Sequence, residues 1–222
     1  YTAEDKWLPT INLMSNQFHT EYVDVNAAVS ENIGSDYVAP GYEAFDGQVP
    51  VVVHVPDDYA SQSYPMVVYV CGGGTSYWEL YNEDGTILAN NPGTNLNFDA
   101  ALTNWLNEDV IIISPHVHSD NNTPAAHEVA AVTEYFMEKY NADSERIIYV
   151  GNSNGAALLS ETIRMYPDLV DVFFPTNGDL GVNDPPEGVS VSNRDSLYTW
   201  TEEELQAMAE SGLAVWFNCG ET

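Results

Sequence analysis

The sequence predicts an α/β fold, a mostly parallel central sheet with helices on both faces. Three observations carry that prediction. Short apolar runs dense in β-branched residues recur along the chain, amphipathic helical patterns fill the gaps between them, and a glycine-flanked serine stands where one run gives way to a helix. The clearest runs are Val51-Val52-Val53-His54-Val55, Met66-Val67-Val68-Tyr69-Val70, Val110-Ile111-Ile112-Ile113 and Ile147-Ile148-Tyr149-Val150. Continuous apolar runs of this length fit strands buried on both faces, the mark of a parallel sheet. Val172-Phe173-Phe174 and Leu213-Ala214-Val215-Trp216-Phe217 read as two more. Strands alternating with helices give a sheet covered on both sides.

The helices follow from caps and stripes. Thr123 caps a helix with Pro124 in its first turn. Its apolar stripe, Ala125, Val129, Val132, Phe136 and Tyr140, recurs every three or four residues. Phe98, Leu102, Trp105 and Leu106 mark another helix, and Leu158 to Tyr166 a third that Pro167 stops. Thr201 with Glu204 forms a capping box for a fourth, ending near Gly212. Residues 1–49 are less regular and read as a lead-in with antiparallel strands; residues 50–222 form the main domain. No internal repeat interrupts it.

Composition bounds the function. The chain has 222 residues, five Lys plus Arg against 34 Asp plus Glu, a formal charge of −29, and 44% apolar and 12% aromatic content. A chain of this size buries roughly 70% of its unfolded surface, so one core without disulfide staples suffices. The aromatic content excludes an acidic disordered tail. The charge argues against nucleic acid or an anionic membrane as partner, since both are polyanions. No stretch approaches the roughly 18 apolar residues of a membrane helix, and Tyr1-Thr2-Ala3-Glu4-Asp5 does not read as a signal peptide. Such acidity suits either an extracellular, secreted chain whose leader has gone or a cytoplasmic one in a salt-rich organism. Cys71 and Cys219 are too few for a disulfide framework or a zinc cluster. Each ends a strand with other strands between them, which argues against a bridge. No cofactor or metal is expected.

The sharpest chemical signal is Gly151-Asn152-Ser153-Asn154-Gly155, directly after the strand at 147–150 and at the start of the helix that runs to Tyr166. A G-x-S-x-G turn in this setting holds its serine in a strained backbone conformation with the hydroxyl raised above the sheet edge. Glycines flank it because a side chain two residues away would collide across the turn. A second signal is Cys71-Gly72-Gly73-Gly74-Thr75, at the end of the strand 66–70. Three glycines leave backbone N–H groups free to point at a developing oxyanion, here Gly73 and Gly74, with Asn154 just after the nucleophile as the other donor. The rival reading, a phosphate loop, would need Gly-Lys-Ser or Gly-Lys-Thr, which is absent.

From Cys71-Gly72-Gly73-Gly74 through Pro115 to Arg146-Ile147-Ile148-Tyr149-Val150-Gly151-Asn152-Ser153-Asn154-Gly155 and Phe174-Pro175, the order resembles an α/β-hydrolase. Within that superfamily it is most similar to bacterial serine esterases of the polyhydroxybutyrate-depolymerase and feruloyl-esterase type. The resemblance spans roughly residues 50–222. Cys71 stands where many relatives have histidine, which matters little because the oxyanion donors are backbone groups. It implies an acyl-enzyme on Ser153 and substrates that are carbohydrate-linked acyl or feruloyl esters, or short hydroxyalkanoate esters.

The same resemblance implies a triad in the order Ser, acid, His. The acid of relatives lies just past the strand that here is 213–217, and Asn218-Cys219-Gly220-Glu221-Thr222 resembles the loop leading to it. Glu221 and Asp179 are the candidates within the chain. No histidine follows Ser153. The expectation is an incomplete C-terminus, with the acid and histidine supplied by a C-terminal remainder of the same protein. Among the upstream histidines, His116 and His118 follow the strand at 110–113, where substrate sits in open α/β sheets. They are read as pocket residues, with loop polarity nearly as good an account and a two-histidine metal site a third. His54 reads as a strand residue, His127 as a helix-surface residue. Tyr77, Trp78 and Tyr81 after the glycine loop suit either a sugar- or phenol-binding wall or a packed flap.

Three functional readings follow. The leading one is a serine esterase. A serine peptidase or acyltransferase would use the same machinery. The rival from another class is a non-catalytic hydrolase-like binding module, favoured by the missing acid and histidine and disfavoured by the cost of keeping a strained turn without chemistry.

Overall fold

A computed structural model describes residues 19–38, 47–70, 109–115, 117, 123–176 and 201–216. The elements are β1 (His19–Val23), α1 (Asn26–Ile33), β2 (Val49–His54), β3 (Met66–Val70), β4 (Ile111–Pro115), α2 (Thr123–Lys139), β5 (Ile147–Asn152), α3 (Asn154–Met165), β6 (Val172–Thr176), α4 (Glu202–Glu210) and β7 (Ala214–Val215). The strands form one sheet in the order β1-β2-β4-β3-β5-β6-β7. From β4 to β7 every pairing is parallel, while β1–β2 and β2–β4 are antiparallel. The apolar run in β2 predicted burial on both faces correctly, but its direction is opposite to a parallel strand. Burial constrains which side chains a strand carries and not which way it runs. Residues 19–38 hold β1, antiparallel to β2, and also α1, whose weak apolar pattern includes one buried residue, Val29.

One face of the sheet packs Val51, Val53, Met66, Val68, Ile111, Ile113, Ile147, Tyr149 and Phe173 against α2 and α3, and α1 packs on α2. The helices contribute Val29, Val129, Val132, Phe136, Leu158, Leu159 and Ile163. Each fully buried aliphatic side chain contributes about 1.5–3 kcal/mol. The alternate residues Val52, Val67, Tyr69 and Ile112 point the other way and are equally buried, as a doubly covered sheet requires. All five stripe residues of α2 are buried. That helix ends in a Schellman motif: Asn141 is left-handed at φ 49°, its N–H reaches the Glu138 carbonyl, and the Ala142 N–H reaches the Met137 carbonyl. The capping box of α4 forms as read, with the Glu204 N–H donating to Thr201 Oγ1 and the Thr201 N–H donating to Glu204 Oε2.

Two expectations need correction. The last strand is two residues long instead of five, and Trp216 is 68% exposed. The Phe173 carbonyl accepts from Trp216, so alternate positions of β6 face β7. The next donor on that side would be position 175, a proline without an N–H, and the pairing stops there. His127 is a buried residue, 7% exposed, instead of a surface one. Its Nδ1 is 2.5 Å from the hydroxyl of Tyr166, the C-cap of α3, because α2 lies against α3. The helix expected around Phe98–Leu106 and both cysteines lie outside the described residues. No helix among the described residues is long and apolar enough to cross a membrane.

Candidate active site at the end of strand β5

Ser153 stands between the last residue of β5 and the first of α3, at φ 52° and ψ −118°. Apart from Asn141 it is the only non-glycine residue with positive φ among the described residues. A conformation of this kind costs about 1–3 kcal/mol and persists only where the surroundings impose it. Serine is a favoured N-cap, yet Ser153 occupies the N-cap of α3 without a side-chain capping bond. The turned backbone removes the hydroxyl from capping, while the main chain is fully engaged. The Ser153 N–H donates to the Thr176 carbonyl at 2.9 Å, and the Ser153 carbonyl accepts from Ala157 at 3.2 Å.

Gly151 allows the turn to be this tight. A Cβ there would lie 2.5 Å from Ala156 Cα, 2.7 Å from its nitrogen and 2.9 Å from the Gly155 carbonyl carbon. All three are backbone atoms, so no side-chain adjustment relieves the clash. The small residues that follow, Ala156 and Ala157, are buried where the helix start meets the sheet.

The parallel ladder carries other segments to the same edge. Val70, the last residue of β3, is directly opposite Gly151. Adjacent strands are about 4.8 Å apart, so β3 ends beside the turn. Thr176, the last residue of β6, faces Asn152 from the other side. Asn154 opens α3, so its N–H belongs to the helix's first turn, where donors lack intrahelical partners and the dipole is positive. Gly73, Gly74, Tyr77, Trp78, His116, His118, Asp179 and Glu221 lie outside the described residues, as does the loop after β7.

Farther along α3 is a polar cluster that the sequence did not announce. Glu161 of α3 is 1% exposed and is held by the Arg164 guanidinium through two bonds, Nε to Oε2 at 2.6 Å and Nη2 to Oε1 at 2.5 Å. The remaining Nη1 donates to Glu204 Oε1 at 3.0 Å, tying α3 to the cap of α4. Burial pushes the His127 imidazole below its usual range, and Glu161 pulls it partly back. On the far side of α2, Glu128 is 0% exposed. Tyr37 donates to its Oε1 at 2.6 Å, while Oε2 has no partner among the described residues. Burial raises its carboxyl to about 7, with the Tyr37 bond opposing.

No protein-family model matches the sequence, and no curated protein matches it. Solved structures do resemble the fold. A thermostable esterase superposes with a TM-score of 0.52 at 17% identity, over 95% of this chain and 56% of its own. A hyperthermophilic esterase from the archaeon Pyrobaculum calidifontis gives 0.51 at 16% identity, over 96% and 60% respectively. A ferulic acid esterase gives 0.50 at 12% identity, over 92% of this chain and 89% of its own. The chain therefore spans somewhat over half the length of the first two esterases. At such identities the likeness speaks for architecture alone. The strand order, the parallel register from β4 to β7 and the turn between β5 and α3 together make this an α/β-hydrolase fold.

Proposed function

We propose that the chain is a serine hydrolase of carboxylic esters, with Ser153 as nucleophile. The observation that carries this reading is the backbone of Ser153: φ 52° in a non-glycine residue, at a strand-to-helix turn, with no capping bond from its side chain. Serine at that place would be an ordinary helix cap if the protein needed only stability. Ser153 Oγ attacks the ester carbonyl carbon, giving up its proton to a histidine as the C–O bond forms. The tetrahedral oxyanion is held by the Asn154 N–H at the start of α3 and by the Gly73 and Gly74 N–H groups. The alcohol leaves with that proton, and water releases the acid from the acyl-enzyme.

No histidine follows Ser153 in the 222 residues, so the proposal assigns the base to a histidine outside them. It assigns the acid to the loops after β6 and β7, with Asp179 and Glu221 as the candidates there. Substrates are carbohydrate-linked acyl or feruloyl esters, or short hydroxyalkanoate esters, on the resemblance of the motif order to such esterases. The fold of the ferulic acid esterase is compatible with that choice.

A fluorophosphonate probe followed by peptide mass spectrometry tests the proposal. The expected result is an adduct on Ser153 that disappears in Ser153→Ala. An unlabelled Ser153 in the full-length polypeptide would overturn it and leave the binding-module reading in its place.

A further inference from the structure

We propose that Thr176 is a positioning residue for Ser153, acting through the backbone of the turn and not on substrate; the inference rests on the serine-hydrolase reading. Its basis is a double anchor. The Thr176 carbonyl accepts the Ser153 N–H at 2.9 Å, and the Thr176 hydroxyl donates to the Gly151 carbonyl at 2.9 Å. One residue of β6 thus grips the main chain immediately before and immediately after Asn152, which it faces in the ladder.

The two bonds act on the dihedrals that matter. Rotation about the Ser153 N–Cα bond sets φ, and the direction of the N–H is fixed by the Thr176 carbonyl. Rotation about Cα–C sets ψ, and the Ser153 carbonyl is fixed by Ala157. The hydroxyl bond to Gly151 holds the preceding peptide plane, so the strain at Ser153 cannot relax backwards along β5. Strained residues persist when their surroundings over-determine them, and Thr176 supplies much of that constraint. Threonine suits the task because its branched Cβ restricts χ1 while its hydroxyl supplies the donor. The same geometry commits the Ser153 N–H to β6, which leaves the Asn154 N–H as the oxyanion donor next to the nucleophile.

The ladder contains its own control. At the other end of β5, Asp171 Oδ2 accepts the Ile147 N–H at 2.7 Å, a comparable side-chain clip remote from the turn. In the full-length polypeptide, the second-order rate of fluorophosphonate labelling at Ser153 and the amide exchange rate of Ser153 are measured in Thr176→Val, Thr176→Ser, Thr176→Cys and Asp171→Ala. Losing one hydrogen bond of ordinary strength slows labelling about fivefold to tenfold in Thr176→Val and speeds Ser153 exchange. Thr176→Ser labels within about twofold of wild type because the donor remains, and Thr176→Cys falls between because a thiol donates weakly. Asp171→Ala lowers the unfolding midpoint without slowing labelling. Wild-type labelling in Thr176→Val, or in Thr176→Cys should the valine variant not fold, overturns the role of Thr176 alone. A wild-type protein that is not labelled overturns the serine-hydrolase reading on which it rests.

Discussion

Replacing Glu128 by glutamine isolates one buried proton. The carboxyl is fully enclosed, with Tyr37 on one oxygen and no partner for the other among the described residues, and burial raises it to about 7 in the folded protein against 4.5 for the free side chain. The folded state therefore holds a proton that the unfolded chain has released throughout the interval from about 4.5 to about 7. With more protons bound in the folded state, unfolding free energy falls as pH rises through that window and levels off above it. At 1.36 kcal/mol per unit, a difference of about 2.5 units is about 3 kcal/mol. For a domain of this size that is about 6–12 °C in Tm. Two other contributions share the interval. The net charge of −29 makes self-repulsion grow with pH, and His127, whose imidazole burial pushes below its usual range, costs stability in the opposite direction as pH falls. Subtracting the variant from the wild type removes both. Urea midpoints taken from pH 4.5 to 8 give the two curves. The expected difference curve falls by about 3 kcal/mol between those limits and persists in high salt, because a buried group is poorly screened. Parallel curves for wild type and Glu128→Gln would refute the assignment. Tyr37→Phe provides the complement: it removes a bond that favours the carboxylate, so the window widens upward.

Gly151→Ala places its methyl against backbone at 2.5 Å and should cost about 3 kcal/mol or more, with loss of Ser153 labelling, as read by urea denaturation and the probe. Ser153→Gly removes the strain at φ 52° and should raise stability by about 1 kcal/mol while abolishing labelling; an unchanged or lowered midpoint would mean the turn stores no strain. Arg164→Met strips the partner from buried Glu161 and the tie to Glu204, and should cost about 2 kcal/mol. A second change, Glu161→Leu, should recover most of that loss in a denaturation series.

What the sequence made legible was what depends on neighbours along the chain. The β-branched runs at 66–70, 110–113 and 147–150 predicted buried strands because burial on both faces leaves a continuous apolar signature. The capping box of Thr201 and Glu204 and the stripe from Ala125 to Tyr140 are likewise local patterns, and the structure contains them. The turn at Ser153 belongs to the same class, since the clash that demands glycine at 151 comes from residues 155 and 156. The features that escaped are set by residues far apart. Glu128 and His127 occupy helix positions next to the apolar stripe, where a polar side chain ordinarily faces water. Their partners, Tyr37 on Glu128 and Tyr166 on His127, come from segments distant in the sequence. The shortness of β7 is dictated by a proline on the neighbouring strand, nearly forty residues earlier in the chain. Thr176 lies two residues past the apolar run Val172-Phe173-Phe174 and belongs to no local motif. Its importance exists only once β6 is placed beside β5 in a register that sets its hydroxyl against Gly151 and its carbonyl against Ser153. The local pattern indicates that a strained serine is possible at this turn, and the non-local register supplies the bonds that keep it strained.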